Sequence, residues 1–281
     1  MRVTDPGTDP TKAEPGPTPP FIDTKRPNVA RIYDYWLGGK DNFEADRVAA
    51  EQVLALMPGM RRSALENRKF LRRAVRFLAG EAGIDQFLDI GVGLPTRGAV
   101  HEVAHEVNPM ARVAYVDYDP VVVSHGNVLL AAPDLSVVVR EDLRRPKELL
   151  ANPVIREHLD FRRPVALTLL AVVHFVQDED DPDAVMTQLR DALAPGSYLV
   201  FSHICEELLP DKAAAQRAME IYERASERIL PRGTERIRGF LGDFELIEPG
   251  LVPKHAWRPE IAPARPDRTD ISLGAVARKR G

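Results

Sequence analysis

The chain has 281 residues, 44% of them hydrophobic, and a formal charge of −4 at pH 7. That length buries the core of one large domain or two small ones. The acidic balance speaks against non-specific nucleic-acid binding, which needs a basic surface to displace counterions. Its single cysteine, Cys205, excludes an internal disulfide and fits a cytoplasmic setting. No basic-then-apolar leader is visible, and the longest apolar run, 165–173, is far short of the roughly 18 residues of a membrane span.

Residues 1–24 carry Pro6, Pro10, Pro15, Pro17, Pro19 and Pro20 among small and polar side chains, which reads as a disordered tail. From Asn28 the chain turns helical, with Val29, Ile32, Tyr33 and Trp36 at helical spacing until Gly38-Gly39. A second helix is expected over 43–57, closed by Pro58-Gly59. A third, over 61–82, places Leu71, Ala74, Val75, Leu78 and Ala82 on one face. Arg72, Arg73 and Arg76 of that helix read as a solvated face.

Beyond Gly83 short β-rich runs alternate with stretches long enough for crossover helices. The runs are 86–90, 112–117, 136–140, 165–173 and 198–203. Several are apolar throughout, as parallel strands buried on both faces should be. The alternation predicts a parallel sheet with right-handed connections. Two last strand-like runs, 244–249 and 273–278, are separated by an irregular proline-rich stretch without a helix, so they should pair antiparallel. The expected fold is α/β: a Rossmann-like doubly wound sheet of five parallel strands plus an antiparallel C-terminal pair. Residues 25–83 are expected to form an N-terminal helical segment packed on a core of 84–281.

The sharpest local signal is Phe87-Leu88-Asp89-Ile90-Gly91-Val92-Gly93-Leu94-Pro95-Thr96. A buried strand runs into a glycine turn, with a helix expected to begin near Thr96. Glycines there let the backbone pass close to a ligand and leave helix N-terminal amides facing it. A dinucleotide fingerprint would need a third glycine where Thr96 stands, and Asp89 would repel phosphates. S-adenosylmethionine has an ammonium, a sulfonium and no phosphate, so a carboxylate at Asp89 suits it. At the end of the second strand Asp117 can accept hydrogen bonds from both ribose hydroxyls. Asp119, just before Pro120, reads as a helix cap. After the third strand Asp142 can accept from the adenine amino group while Leu143 packs on the ring; a solvated loop carboxylate is the alternative. Acidic residues closing three successive strands lie where open α/β sheets bind ligands.

These residues resemble the class I S-adenosylmethionine-dependent methyltransferases. More narrowly, the chain is similar to a bacterial family once filed as a domain of unknown function and now called S-adenosyl methyltransferase. The narrower resemblance rests on residues 30–43 (ARIYDYWLGGKDNF), on Asn67-Arg68-Lys69-Phe70-Leu71-Arg72-Arg73 and on Gln86-Phe87-Leu88-Asp89-Ile90-Gly91. It implies S-adenosylmethionine as cofactor, with the methionine end at Asp89, Gly91 and Gly93, the ribose at Asp117 and the adenine at Asp142. It does not imply an acceptor.

Methyl transfer from a sulfonium is an in-line displacement that needs mainly alignment and water exclusion. His174, after the fourth strand, would face the acceptor as a general base or merely line the pocket. The Asn/Asp-Pro-Pro-aromatic motif of enzymes methylating base amino groups is missing at that place, so a small-molecule acceptor is expected and nucleic acid is not. Tyr33, Tyr35 and Trp36 either pack their helix on the core or form a lid over the cofactor, with Gly38-Gly39 allowing close approach and Asn42 supplying hydrogen bonds. His101-Glu102-Val103-Ala104-His105 matches a zinc-binding HExxH pattern, but no third ligand stands at the required spacing and no metal is expected. Two further function classes stay open: a cofactor-binding protein without turnover, and an NAD-linked oxidoreductase, against which Asp89 and the missing third glycine count.

Overall fold

The computed structural model describes residues 23–95, 98–132, 134–261 and 269–281. The expected tail lies outside these up to residue 22, and so does Thr96. Three helices open the described chain: α1 (Val29–Trp36), α2 (Glu44–Leu56) and α3 (Met60–Gly80). Asn28 starts α1 by accepting the amides of Ala30 and Arg31 on its side chain, which satisfies two donors the first turn leaves unpaired. Of the expected stripe, Leu71, Ala74, Val75 and Leu78 are buried on α3 together with Phe70, in one cluster with Phe87, Val113 and Val200 of the sheet, whereas Ala82 lies past the helix end and is half-buried.

The sheet contains β1 (Gln86–Ile90), β2 (Arg112–Asp117), β3 (Ser136–Arg140), β4 (Ala166–Leu170), β5 (Tyr198–Ile204), β6 (Glu245–Leu246), β7 (Val252–Pro253) and β8 (Ser272–Arg278). Its order is β3-β2-β1-β4-β5-β8-β6, with β7 also pairing β8. The first five strands run parallel, and β8 lies antiparallel to β5 on one side and β6 on the other. The antiparallel ending is therefore as expected. The irregular stretch before β8 holds more order than expected, since β7 and a 3-10 turn over Lys254–Ala256 seat the fully buried Trp257. There Arg73 is not a solvated side chain: its guanidinium donates to the carbonyls of Trp257 at 2.8 Å and Lys254 at 2.7 Å, tying α3 to this turn.

Two other boundaries differ from expectation. The fourth strand ends at Leu170 rather than 173, because Ala171 takes φ +55° and a 3-10 turn over Val173–Phe175 follows. After the glycine turn α4 (Val100–His105) starts four residues later than expected, past Gly98 at φ +77°. Helices α5 (Pro120–Leu129), α6 (Pro146–Ala151), α7 (Pro153–His158), α8 (Pro182–Asp191) and α10 (Thr234–Phe240) add to the cover of the sheet, while α9 (Lys212–Glu223) joins the N-terminal helices. A separate apolar cluster joins α1, α2 and α9 to Ile204 and Ile271, above the carboxyl ends of the central strands. No helix among the described residues is long and apolar enough to cross a membrane.

Candidate active site

Between that helical roof and the carboxyl ends of β1, β2 and β4 lies a cleft of about 1610 Å³, its solvent mouth included. This is the place where an open parallel sheet binds ligands, since the strand order reverses between β1 and β4. The turn after β1 is pinned by the amides of Gly91 and Val92, which donate to the Val116 carbonyl at 2.8 and 3.3 Å. Gly91 takes φ +77°, and a Cβ there would collide with the side chain of Val172. Gly93 takes φ +65°, yet a Cβ built on it meets no atom within 4 Å. The first glycine thus lets the turn pass Val172 after β4, and the second leaves open space beside the backbone.

The carboxylates expected to hold the cofactor all line this cleft. Asp117 accepts the Gly93 amide on Oδ2 and the Asp119 amide on Oδ1, each at 3.0 Å. Burial pushes its carboxyl up to about 6, against the pull of those two amides. Asp89 receives the hydroxyl of Thr168 and is likewise raised to about 6, chiefly by burial. Asp142 differs. Burial raises it, but Arg144 grips both its oxygens at 2.8–3.1 Å, and the net shift is downward. Leu143, 7% exposed, packs beside it on the cleft wall.

From the roof, Tyr33 lines the cleft, its hydroxyl donating to the Ala64 carbonyl at 3.1 Å and accepting from Asn67 at 3.3 Å. Trp36 is a cleft wall and a core residue at once. Asn42 is not among the cleft-lining residues. Its amide donates to Asp34 at 2.8 Å and to the Gly39 carbonyl at 3.1 Å, holding the turn after α1. Gly39 is demanded by the same carboxylate, because a Cβ there would overlap Asp34. Gly39 therefore accommodates a neighbouring side chain, while Gly38 takes φ +80° with open space beside it.

His174 lies in the 3-10 turn after β4, 4% exposed and on the cleft wall. Its Nδ1 is buried with no hydrogen-bond partner. Burial, reinforced by His203, Lys254 and Arg232, keeps its basicity well below that of an ordinary histidine, so the imidazole is neutral at pH 7. The HExxH histidines are engaged elsewhere: His101 Nδ1 lies 2.8 Å from the Tyr115 hydroxyl and His105 Nε2 lies 2.9 Å from the Ala111 carbonyl. Among the described residues no cluster of His, Cys, Asp and Glu could hold a metal.

The sequence did not single out Asn28, Arg68, Glu227 or Lys254, which also line the cleft. Each comes from a segment distant from the glycine turn, and although Arg68 stands in the motif 67–73 that carries the resemblance, nothing in that motif assigns it a place in the site. Lys254 is the most buried of them, its Nζ reaching the Ser63 carbonyl at 3.1 Å and Asp270 at 3.3 Å.

A family model described as S-adenosyl methyltransferase matches residues 16–280. The chain belongs to this S-adenosyl methyltransferase family. It is 45% identical to a candidate methyltransferase of Thermobifida fusca YX, covering 94% of this chain and 98% of that one, with a TM-score of 0.86. Its identity to a DUF574 family protein of Streptomyces avermitilis MA-4680 is 41%, covering 92% and 99%, again with a TM-score of 0.86. Among curated proteins no match is found. The fold is that of a class I methyltransferase, and S-adenosylmethionine is the cofactor of this S-adenosyl methyltransferase. The cleft fits that molecule: open space beside Gly93 admits a ligand against the backbone, and the buried carboxylates of Asp89 and Asp117 line it without an ion-pair partner among the described residues.

Proposed function

We propose that this S-adenosyl methyltransferase acts on a small-molecule acceptor, held between His174 and the roof. When bound, S-adenosylmethionine supplies a methyl group on a sulfonium, already activated for displacement. Asp89, Gly91 and Gly93 hold its methionine end, Asp117 accepts from the ribose hydroxyls, and Asp142 with Leu143 receives the adenine. Tyr33 and Trp36 close the roof and exclude water.

The observation that carries the acceptor class is the apolar share of the cleft lining. Trp36, Met60, Tyr222, Ile229 and Ile271 line the same cleft as His174 with apolar and aromatic side chains. Such a lining suits a compact molecule, and the Arg144 and Lys254 side chains on it are already paired with Asp142 and Asp270 rather than free for a nucleic-acid backbone. His174 faces the acceptor, and its neutral form is the one able to take a proton. The buried thiol of Cys205 and the lack of any other cysteine fit the reducing cytoplasm.

Incubation of the protein with S-adenosylmethionine and fractionated metabolite extract is the test. S-adenosylhomocysteine should accumulate with a low-molecular-weight fraction and not with nucleic acid or protein. Accumulation only with macromolecular fractions would overturn the acceptor class. Tight cofactor binding with no product in any fraction would favour a cofactor-binding protein without turnover.

A further inference from the structure

We infer that Arg68 binds the carboxylate of the cofactor's methionine moiety, so that Arg68 and Asp89 together recognise an α-amino-acid zwitterion. The inference rests on the cofactor assignment above and adds a residue to it. Arg68 lies on α3, next to Asn67, and shares the cleft wall with Asp89 and Gly91. One guanidinium nitrogen donates to the Gly98 carbonyl at 3.0 Å, which fixes the head of the side chain across the glycine turn. Its Nε is buried and has no partner.

A buried guanidinium N–H without an acceptor costs more than a typical hydrogen bond gains, so its orphan state needs an explanation. The planar fork of arginine matches a carboxylate with two parallel bonds, and Nε is one prong of that fork. Among the described residues no carboxylate forms an ion pair with Arg68. Its charge still reaches Asp89, where it opposes the upward push of burial. A cation and a carboxylate thus face one cavity without touching each other. A zwitterion bridges such a pair, its ammonium toward Asp89 and its carboxylate toward Arg68. A phosphate would satisfy Arg68 but meet repulsion from Asp89, and a simple cation would do the reverse.

The test uses two ligands that differ in one group. S-adenosylhomocysteine carries both ends of the zwitterion, and its decarboxylated analogue keeps the ammonium alone. Calorimetry with the full chain should show that Arg68→Met weakens S-adenosylhomocysteine binding about tenfold to a hundredfold, in line with loss of a charge-assisted bidentate pair. Binding of the decarboxylated analogue should stay within about threefold, which also shows that the variant is folded. Arg68→Lys should recover part of the loss, since it keeps the charge and lacks the fork. Equal weakening of both ligands, or no weakening of S-adenosylhomocysteine, overturns the inference. If the unaltered protein binds neither ligand, the cofactor assignment falls, and the inference with it.

Discussion

The side-chain amide of Asn28 donates to the Asp119 carboxylate across 2.7 Å, joining the N-cap of α1 to the N-cap of α5. Both residues are buried, and each also caps its own helix, Asn28 through its amide oxygen and Asp119 through its other carboxylate oxygen. The Asp119 amide in turn donates to Asp117, whose second oxygen holds Gly93. A continuous run of hydrogen bonds therefore connects the roof to the Asp117 carboxylate and the glycine turn. The roof and the floor of the cleft are thus tied through three hydrogen bonds.

Asn28→Ala should accordingly do more than remove a cap. Loss of the cap and of the tether should lower stability by about 1–3 kcal/mol. Affinity for S-adenosylhomocysteine should fall in the same variant. Denaturant titration and calorimetry check the pair of outcomes. A stability loss with unchanged affinity would mean that the roof forms independently of the floor.

The two glycines of the turn should separate. At Gly91 the positive φ and the blocking Val172 side chain both oppose a Cβ, so Gly91→Ala should cost more than about 2 kcal/mol and abolish binding. Gly93→Ala meets only backbone strain, about 1 kcal/mol, because the space beside it is open. That variant should fold and still bind poorly, its methyl group occupying ligand space. Thermal melts alongside calorimetry would expose the contrast, and equal behaviour would refute it.

The parallel strands, their antiparallel ending and the three strand-end carboxylates were legible because they depend on local pattern. Apolar runs of strand length separated by helix-length stretches specify a parallel sheet, and an acid closing a strand faces its carboxyl end by chain geometry. Asp119 was likewise readable as a cap, since Pro120 presets the first helical residue. What escaped was set by distant chain. Arg68 and Lys254 reach the cleft only through the packing of α3 and the turn before β8, and Arg73 is drawn under that turn by carbonyls 181 and 184 residues away. Asn42 misled for a related reason: Asp34 folds back to claim its amide, a contact that no spacing rule encodes.

The buried carboxylates predict opposite pH trends for binding and folding. In the ligand-free protein Asp89 and Asp117 both titrate near about 6. Below that pH they are protonated and lose their attraction for an ammonium and for ribose hydroxyls. Affinity for S-adenosylhomocysteine should thus rise between pH 5 and 7, limits chosen at about one pH step either side of the titration, and level off above. Their stability contribution runs the other way. A carboxyl raised above its unfolded value of 3.8 stabilises the fold fully below that value and loses this as pH rises through about 6. For Asp117 that swing is on the order of 3 kcal/mol. Asp117→Ala should remove it, so the stability difference between parent and variant narrows or changes sign as pH rises. The variant should remain folded and bind cofactor far more weakly, and unchanged affinity would remove Asp117 from the ribose site.

His174 is the side chain whose role in turnover and role in folding can be separated most cleanly. A buried imidazole with an unpartnered Nδ1 contributes little to the fold, and replacing it by an apolar side chain removes an orphaned polar atom. His174→Leu should therefore keep or slightly raise the melting temperature, and cofactor affinity should stay within about threefold. With the acceptor fraction in hand, methyl transfer should drop by about 10²–10⁴, the usual contribution of a positioned base. Because burial and the nearby cations hold the imidazole neutral, the parent rate should not fall through an imidazolium titration between about pH 6 and 7, where an ordinary histidine would gain its proton. A rate that survives His174→Leu would reduce the residue to a wall of the acceptor chamber and leave alignment as the main source of catalysis.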